Sequence, residues 1–310
     1  MHSLENDGVA GESRGTARTG VREHVRPAVT RAEEVVANAS GENFPVALRL
    51  LPRRYRRHLT HLYFFARLTD DLGDEAREDA QGEAALRLRL LDELAADVER
   101  IYAGGTPVSP VMRAMAGTVR DCGVPAKPLL DLIQANRQDQ HVTRYATFAG
   151  LVQYCELSAN PVGQVVLHIF GAATAERIAL SDRICTALQL AEHWQDVAED
   201  LGRGRIYLPA EDLAEYGCTE ADLARPTAGP AVRELMRFEV DRAAGLLDEG
   251  APLVGTLRGA ARLAVAGYLA GGRAALASIR KHHYDVLRVT ARPAKPRMAA
   301  ELAIAYARGR

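Results

Sequence analysis

From about Ala28 onward, apolar residues recur at the 3.6-residue spacing of a helix. Nowhere do they alternate as a half-buried strand requires. Leu86, Leu90, Leu91, Leu94 and Val98 fall on one face with Arg and Glu opposite. Pro52, Pro110, Pro125, Pro161 and Pro209 stand near expected helix starts, where a missing N–H costs little. The Pro/Gly cluster of the second half, Arg225–Pro230, suits an inter-helix loop and is too short to divide two domains. Only 5% of residues are aromatic, and the recurring Ala, Leu and Arg are strong helix formers. The expected architecture is one all-α domain over residues 28–310, behind a disordered, Gly-, Ser- and charge-rich leader over residues 1–27.

Composition excludes several functions. Lys+Arg is 39 and Asp+Glu is 40, a net charge of −1, which speaks against a nucleic-acid binder. The four cysteines form no CxxC pair and read as buried thiols of a reducing compartment. No signal peptide and no span of ~18–20 apolar residues is visible, so the expected place is cytoplasmic. No Gly-rich dinucleotide fingerprint or P-loop occurs, so no NADPH is expected.

The strongest chemical signal is acidic. One apolar segment leads into Asp70, Asp71, Asp74 and Glu75; a second leads into Asp196, Glu199 and Asp200. Asp70 and Asp74 are four apart, as are Asp196 and Asp200, so each pair shares a helical face. Like charges at this spacing destabilise a helix by roughly 0.2–0.5 kcal/mol per pair, and more when partly buried. Two such faces suit hard cations such as Mg2+, which take carboxylate oxygens together with water and substrate phosphates. A pair of solvated acidic faces beside Arg67, Arg203 and Arg205 accounts for the same residues.

Three ordered segments carry a family resemblance. Glu42–Ala76, with LYFFARLTDDLGD, and Ala187–Pro209, with EHWQDVAEDLGRGRIYLP, resemble the two signatures of the squalene/phytoene synthase family. Between them, YCELSANPVG (Tyr154–Gly163) resembles that family's Tyr-Cys helix. ENFPVA, RQDQHVTRY (Arg137–Tyr145), SANPVG, the Trp-Gln-Asp at 194–196 and YDVL (Tyr284–Leu287) are similar to the bacterial hydroxysqualene synthases of hopanoid biosynthesis. The resemblance implies an isoprenoid-synthase bundle around a central apolar cavity, with two or three Mg2+ ions and a prenyl diphosphate, presqualene diphosphate, as substrate. Asp70, Asp71, Asp74, Glu192, Asp196 and Asp200 would then serve the metals. Arg67 would meet the diphosphate, and Tyr63 and Tyr207 the phosphate or the carbocation. Phe44, Tyr154, Ala159 and Gly163 would line the prenyl channel, with Gln189 near the cationic centre. Transient contact with a membrane surface and with other hopanoid-pathway enzymes is implied as well. Two positions depart from the family: Glu192 stands where Asn is common, and Gln195 where Arg is common. Alternatives are a condensing enzyme that joins two prenyl diphosphates and, from another class, a catalytically silent helical scaffold.

Other features read as structural. The run Arg53–His58 suits a solvated helix start, Trp194 and Cys155 suit core packing, and His282–His283 suits a surface or a cap. His58 and His61 are three apart but have no further ligand nearby in sequence.

Overall fold

The computed structural model describes residues 51–74, 80–288 and 295–308, so the leader, Phe44 and Glu75 lie outside the described residues. The regular elements described are fourteen helices. In chain order these are α1 (Arg53–Asp74), α2 (Ala80–Tyr102), α3 (Pro110–Cys122), α4 (Ala126–Gln138), α5 (Phe148–Ser158) and α6 (Asn160–Ile169). There follow α7 (Ala175–Gln195), α8 (Val197–Gly202), α9 (Ala210–Glu215), α10 (Glu220–Leu223), α11 (Pro230–Gly250), α12 (Leu253–Thr256), α13 (Gly259–Lys281) and α14 (Lys295–Arg308). An isolated parallel bridge joins Arg144 and Ile206.

The local chemistry explains the boundaries. Pro110 opens α3, and Gly123 closes it in the left-handed conformation at φ 63°. The Thr147 hydroxyl accepts from Gly150 N at the start of α5, and that of Thr174 from Arg177 N at the start of α7. Ala159, at φ −116° and ψ −48°, separates α5 from α6, and Pro161 follows in the first turn.

The apolar stripes meet in two cores. Leu59, Leu62, Phe65, Leu91, Met112, Met115, Leu129 and Ile133 build the first, between α1, α2, α3 and α4. Leu151, Leu190, Trp194, Leu235, Met236, Leu247, Leu269 and Ile279 belong to the second, built on α5, α7, α11 and α13. Helix α6 serves both: Val165, Val166 and Ile169 face the first core and Leu167 the second. Each fully buried Leu or Phe contributes about 1.5–3 kcal/mol. Leu90, Leu91, Leu94 and Val98 of α2 are buried as their spacing predicts, but Leu86 is 41% exposed, so the packed stripe begins a turn later. Gly163 lets α6 approach α7 closely: a Cβ there would lie 2.4 Å from Cys185 Sγ and 2.5 Å from Ser181 Oγ. Trp194 is fully buried, a packing residue as expected. No described helix is long and apolar enough to cross a membrane.

Candidate active site

The first acidic group sits on the last turns of α1. Asn136, on α4, donates from Nδ2 to Asp70 Oδ1 at 3.3 Å and to Leu132 O at 3.2 Å. Gly73 makes this possible, because a Cβ there would stand 2.2 Å from Asn136 Oδ1. Gln140 Nε2 donates to Gly73 O and Asn136 O, both at 3.0 Å, tying the end of α1 to the end of α4. Arg67 reaches one turn along to Asp71 at 2.9 Å, with both side chains partly exposed. The residue expected at the diphosphate therefore holds one expected at the metal. Tyr63 is half-buried, its ring edge-on to Phe64. Asp74 closes α1, and its side chain lies outside the described set.

The second group lies where α7 gives way to α8. The sequence predicts one continuous face through Glu192, Asp196 and Asp200; instead the helix breaks at Asp196, at φ −108° and ψ 16°. Asp is a residue whose short polar side chain favours caps over helix interiors, which suits it to that place. The i,i+4 bonding continues through the break, from Asp196 N to Glu192 O (3.0 Å) and from Asp200 N to Asp196 O (2.8 Å). Glu192 is exposed, whereas the Asp200 side chain is only 15% exposed. Burial, with the charge of Asp196 next in size, pushes the Asp200 carboxyl up to about 6; Arg203 and Arg205 oppose this.

Against Asp200 packs a cluster of rings. His193 stacks on Tyr207 at 3.6 Å between centroids, with 13° between planes. Tyr145 and Tyr154 complete the cluster, at 5.8 and 5.9 Å from Tyr207. The Gln189 amide nitrogen lies 3.2 Å from His193 Nε2; with that amide donating, the imidazole proton sits on Nδ1. Burial, and less so the Arg205 charge, lower the His193 pKa to about 3, so the ring is neutral. Its approach to Asp200, Nδ1 to Oδ2 at 3.9 Å, is therefore no ion pair. Tyr207 is presented by an extended segment fastened to the chain before α5. Ile206 N donates to Thr143 O, Ala210 N to Tyr145 O and Glu211 N to Ala146 O, at 2.9–3.0 Å.

Helix α4 joins the two acidic groups. One turn beyond Asn136, Asp139 Oδ2 accepts from Tyr154 OH at 2.9 Å, and Tyr154 lies against His193. The ends of α1, α4 and α7 thus meet at one end of the bundle, carrying Asp70, Asp139, Asp196 and Asp200. Tyr154 belongs to the ring cluster, Ala159 to the joint between α5 and α6, and Gly163 to the contact of α6 with α7. Asn136, Asp139 and His193 were not singled out by spacing, although the quoted segments contain Asp139 and His193.

Among the described residues, no three acidic, His or Cys side chains converge closely enough to hold a metal ion alone. Two neighbouring carboxylates, one of them raised by burial and like charge, fit a hard cation that completes its shell with water and phosphate. They do not fit a self-contained protein cage.

The family model for squalene/phytoene synthase matches residues 37–299. The hydroxysqualene synthase of Rhodopseudomonas palustris is 32% identical over 218 residues, covering 70% of this chain and 72% of that protein. The phytoene synthase of Arthrospira platensis is 34% identical over 219 residues, 65% of this chain and 68% of that protein. The crystal structure of squalene synthase HpnC from Alicyclobacillus acidocaldarius superposes with a TM-score of 0.74 at 39% identity, covering 87% of this chain and 99% of that one. The all-α bundle, the ordered signatures and this coverage agree: the chain belongs to the squalene/phytoene synthase family, whose members act on prenyl diphosphates.

Proposed function

We propose that the chain is a hydroxysqualene synthase. It would ionise presqualene diphosphate with Mg2+, let the carbocation rearrange, and capture it with water to give hydroxysqualene and diphosphate. The observation that carries this reading is the half-buried Asp196–Asp200 pair, whose mutual repulsion asks for a cation, set beside a ring cluster suited to a carbocation. The similarity to hydroxysqualene synthases supports the choice of substrate.

Asp70 from α1, with Asp196 and Asp200 from the joint of α7 and α8, would hold the metal; Asp71, Asp74 and Glu192 flank them. The metal would supply positive charge to the departing diphosphate, which is where most of the barrier is lowered. Arg67 would exchange Asp71 for phosphate oxygens, to which its fork is matched. Tyr154 would border the carbocation, worth about 0.5–2 kcal/mol, with Tyr207, one face of which His193 covers, beside it. The apolar walls, with Ala187 and Leu190 of α7 among them, would restrict water entry during rearrangement. Ionisation needs no nucleophilic side chain, and no reductant is required. A long apolar product implies transient contact with a membrane surface.

A condensing reaction that joins two prenyl diphosphates is the second reading, favoured by the similarity to phytoene synthase. The test is to incubate the protein and Mg2+, without NADPH, separately with presqualene diphosphate and with farnesyl diphosphate. Hydroxysqualene from the first substrate is expected. Consumption of farnesyl diphosphate alone rejects the proposal.

A further inference from the structure

His193 Nδ1 and Asp200 Oδ2 are 3.9 Å apart, too far for a direct hydrogen bond and a separation that a shared water can bridge. Both residues line a small cavity, together with Val197, Ile206, Tyr207 and Leu208. About 10 Å³ of it is open to the centre of a water molecule, which is room for one. Three of its six lining residues, His193, Asp200 and Tyr207, are polar and three are apolar, so a water there has polar partners within reach.

We infer that this cavity holds the water that captures the carbocation, with His193 as its positioning residue. The proposal rests on the hydroxysqualene synthase reading. The ring is fixed on both sides: Tyr207 stacks on its face at 3.6 Å, and the Gln189 amide occupies Nε2. With Nε2 accepting, Nδ1 carries the proton, on the ring nitrogen that lies 3.9 Å from Asp200 Oδ2. The water accepts from Nδ1–H and donates to the Asp200 carboxylate, which leaves an oxygen lone pair free. That lone pair forms the new C–O bond to the carbocation. One proton of the resulting oxonium passes to the diphosphate released in the same turnover, and the hydroxyl stays on the product. His193 keeps its proton throughout. It sets where the water stands, and so decides between an alcohol and a hydrocarbon formed by loss of a proton from carbon.

The test measures two quantities with presqualene diphosphate and Mg2+: diphosphate release, and the alcohol fraction of the C30 products. In His193→Phe the ring stack survives but the donor is gone. The alcohol fraction is expected to fall about fivefold or more, the effect of one lost hydrogen bond, with hydrocarbons rising in its place. His193→Gln restores a donor and should recover much of the alcohol. A crystal structure of the Mg2+-loaded wild type should show an ordered water within hydrogen-bond distance of Nδ1. An unchanged alcohol fraction in His193→Phe overturns the inference, as does loss of diphosphate release in both variants or an empty cavity in that crystal structure. A wild type that releases no diphosphate from presqualene diphosphate overturns the proposed reaction itself, and the role of the water with it.

Discussion

Gly73 sets two small effects against each other. Replacing it with alanine favours the helix by about 0.5–1 kcal/mol. Yet the new methyl would stand 2.2 Å from Asn136 Oδ1, so the Asn136 side chain must swing away and release Asp70. The displaced group is the end of a side chain rather than backbone, so folding stability should change by less than about 1 kcal/mol. Turnover should fall about tenfold, equivalent to about 1.4 kcal/mol of barrier, as Asp70 loses its aim. Comparing urea midpoints with kcat checks this; a lost midpoint with unchanged kcat would contradict it. A second residue-scale effect concerns His58 and His61, whose Nδ1 atoms each lie 3.0 Å from the one buried Thr118 hydroxyl. Burial lowers both pKa values from 6.5; next in size come the Arg57 charge at His58 and the His58 charge at His61. The neutral rings are therefore favoured by folding, so their contribution is present above pH 6.5 and lost as pH falls below it. Urea midpoints should drop between pH 7.5 and pH 5, and drop less in a His58→Gln, His61→Gln double variant. Spacing singles out Asp70, Asp196 and Asp200 because their signal is local. It could not find Asn136, whose partner Asp70 lies 66 residues away, nor the stacking of His193 on Tyr207, which tertiary packing alone decides.

At the scale of elements, the short helix α9 carries more than its length suggests. It follows directly on Tyr207, Leu208 and Pro209, and its Asp212 receives two bonds from Arg242 of α11, at 2.8 and 3.1 Å. The Arg242 guanidinium also lies between Phe148 of α5 and Phe238 of α11, 4.0 and 4.2 Å from their centroids. Glu239, fully buried one turn before Arg242, shares the cation at 3.4 Å. Burial pushes the Glu239 carboxyl up to about 8, with Arg242 pulling the other way. Among the described residues Arg242 is the cation paired with both acids, and removing it leaves the buried Asp212 carboxylate without its counter-charge, a loss of about 3–5 kcal/mol. Arg242→Met should show that loss in urea unfolding. It should also speed hydrogen exchange at the Ala210 and Glu211 amides, which fasten the Tyr207 segment to residues 145 and 146. A full-sized stability loss with unchanged exchange there would mean that the cluster does not hold that segment. The helices themselves were legible from period and caps. The break at Asp196 was not, because an i,i+4 pattern is the same in a continuous helix and in one interrupted by a single residue.

The whole molecule places its acids across its two cores. Asp70 rides on α1, whose buried face belongs to the first core; Asp196 and Asp200 extend α7, which belongs to the second. A net charge of −1 hides this concentration at one end of the bundle. A ligand that joins the acids through metal and phosphate must therefore stabilise both cores at once. Because α6 contributes side chains to both cores and no long linker separates them, the described bundle should melt as one unit. Mg2+ alone should raise the melting temperature little, since two carboxylates and water hold it weakly. Mg2+ with inorganic diphosphate, at about a hundred times the dissociation constant, should add about 2.7 kcal/mol and a few degrees to one undivided transition. Calorimetry reads both the shift and the number of transitions. Two transitions of which only one moves would mean that the acids of α1 and of α7–α8 do not share a ligand. In Asp70→Asn or Asp196→Asn the shift should shrink, because each removes a carboxylate from a different core while leaving the shape of its side chain intact.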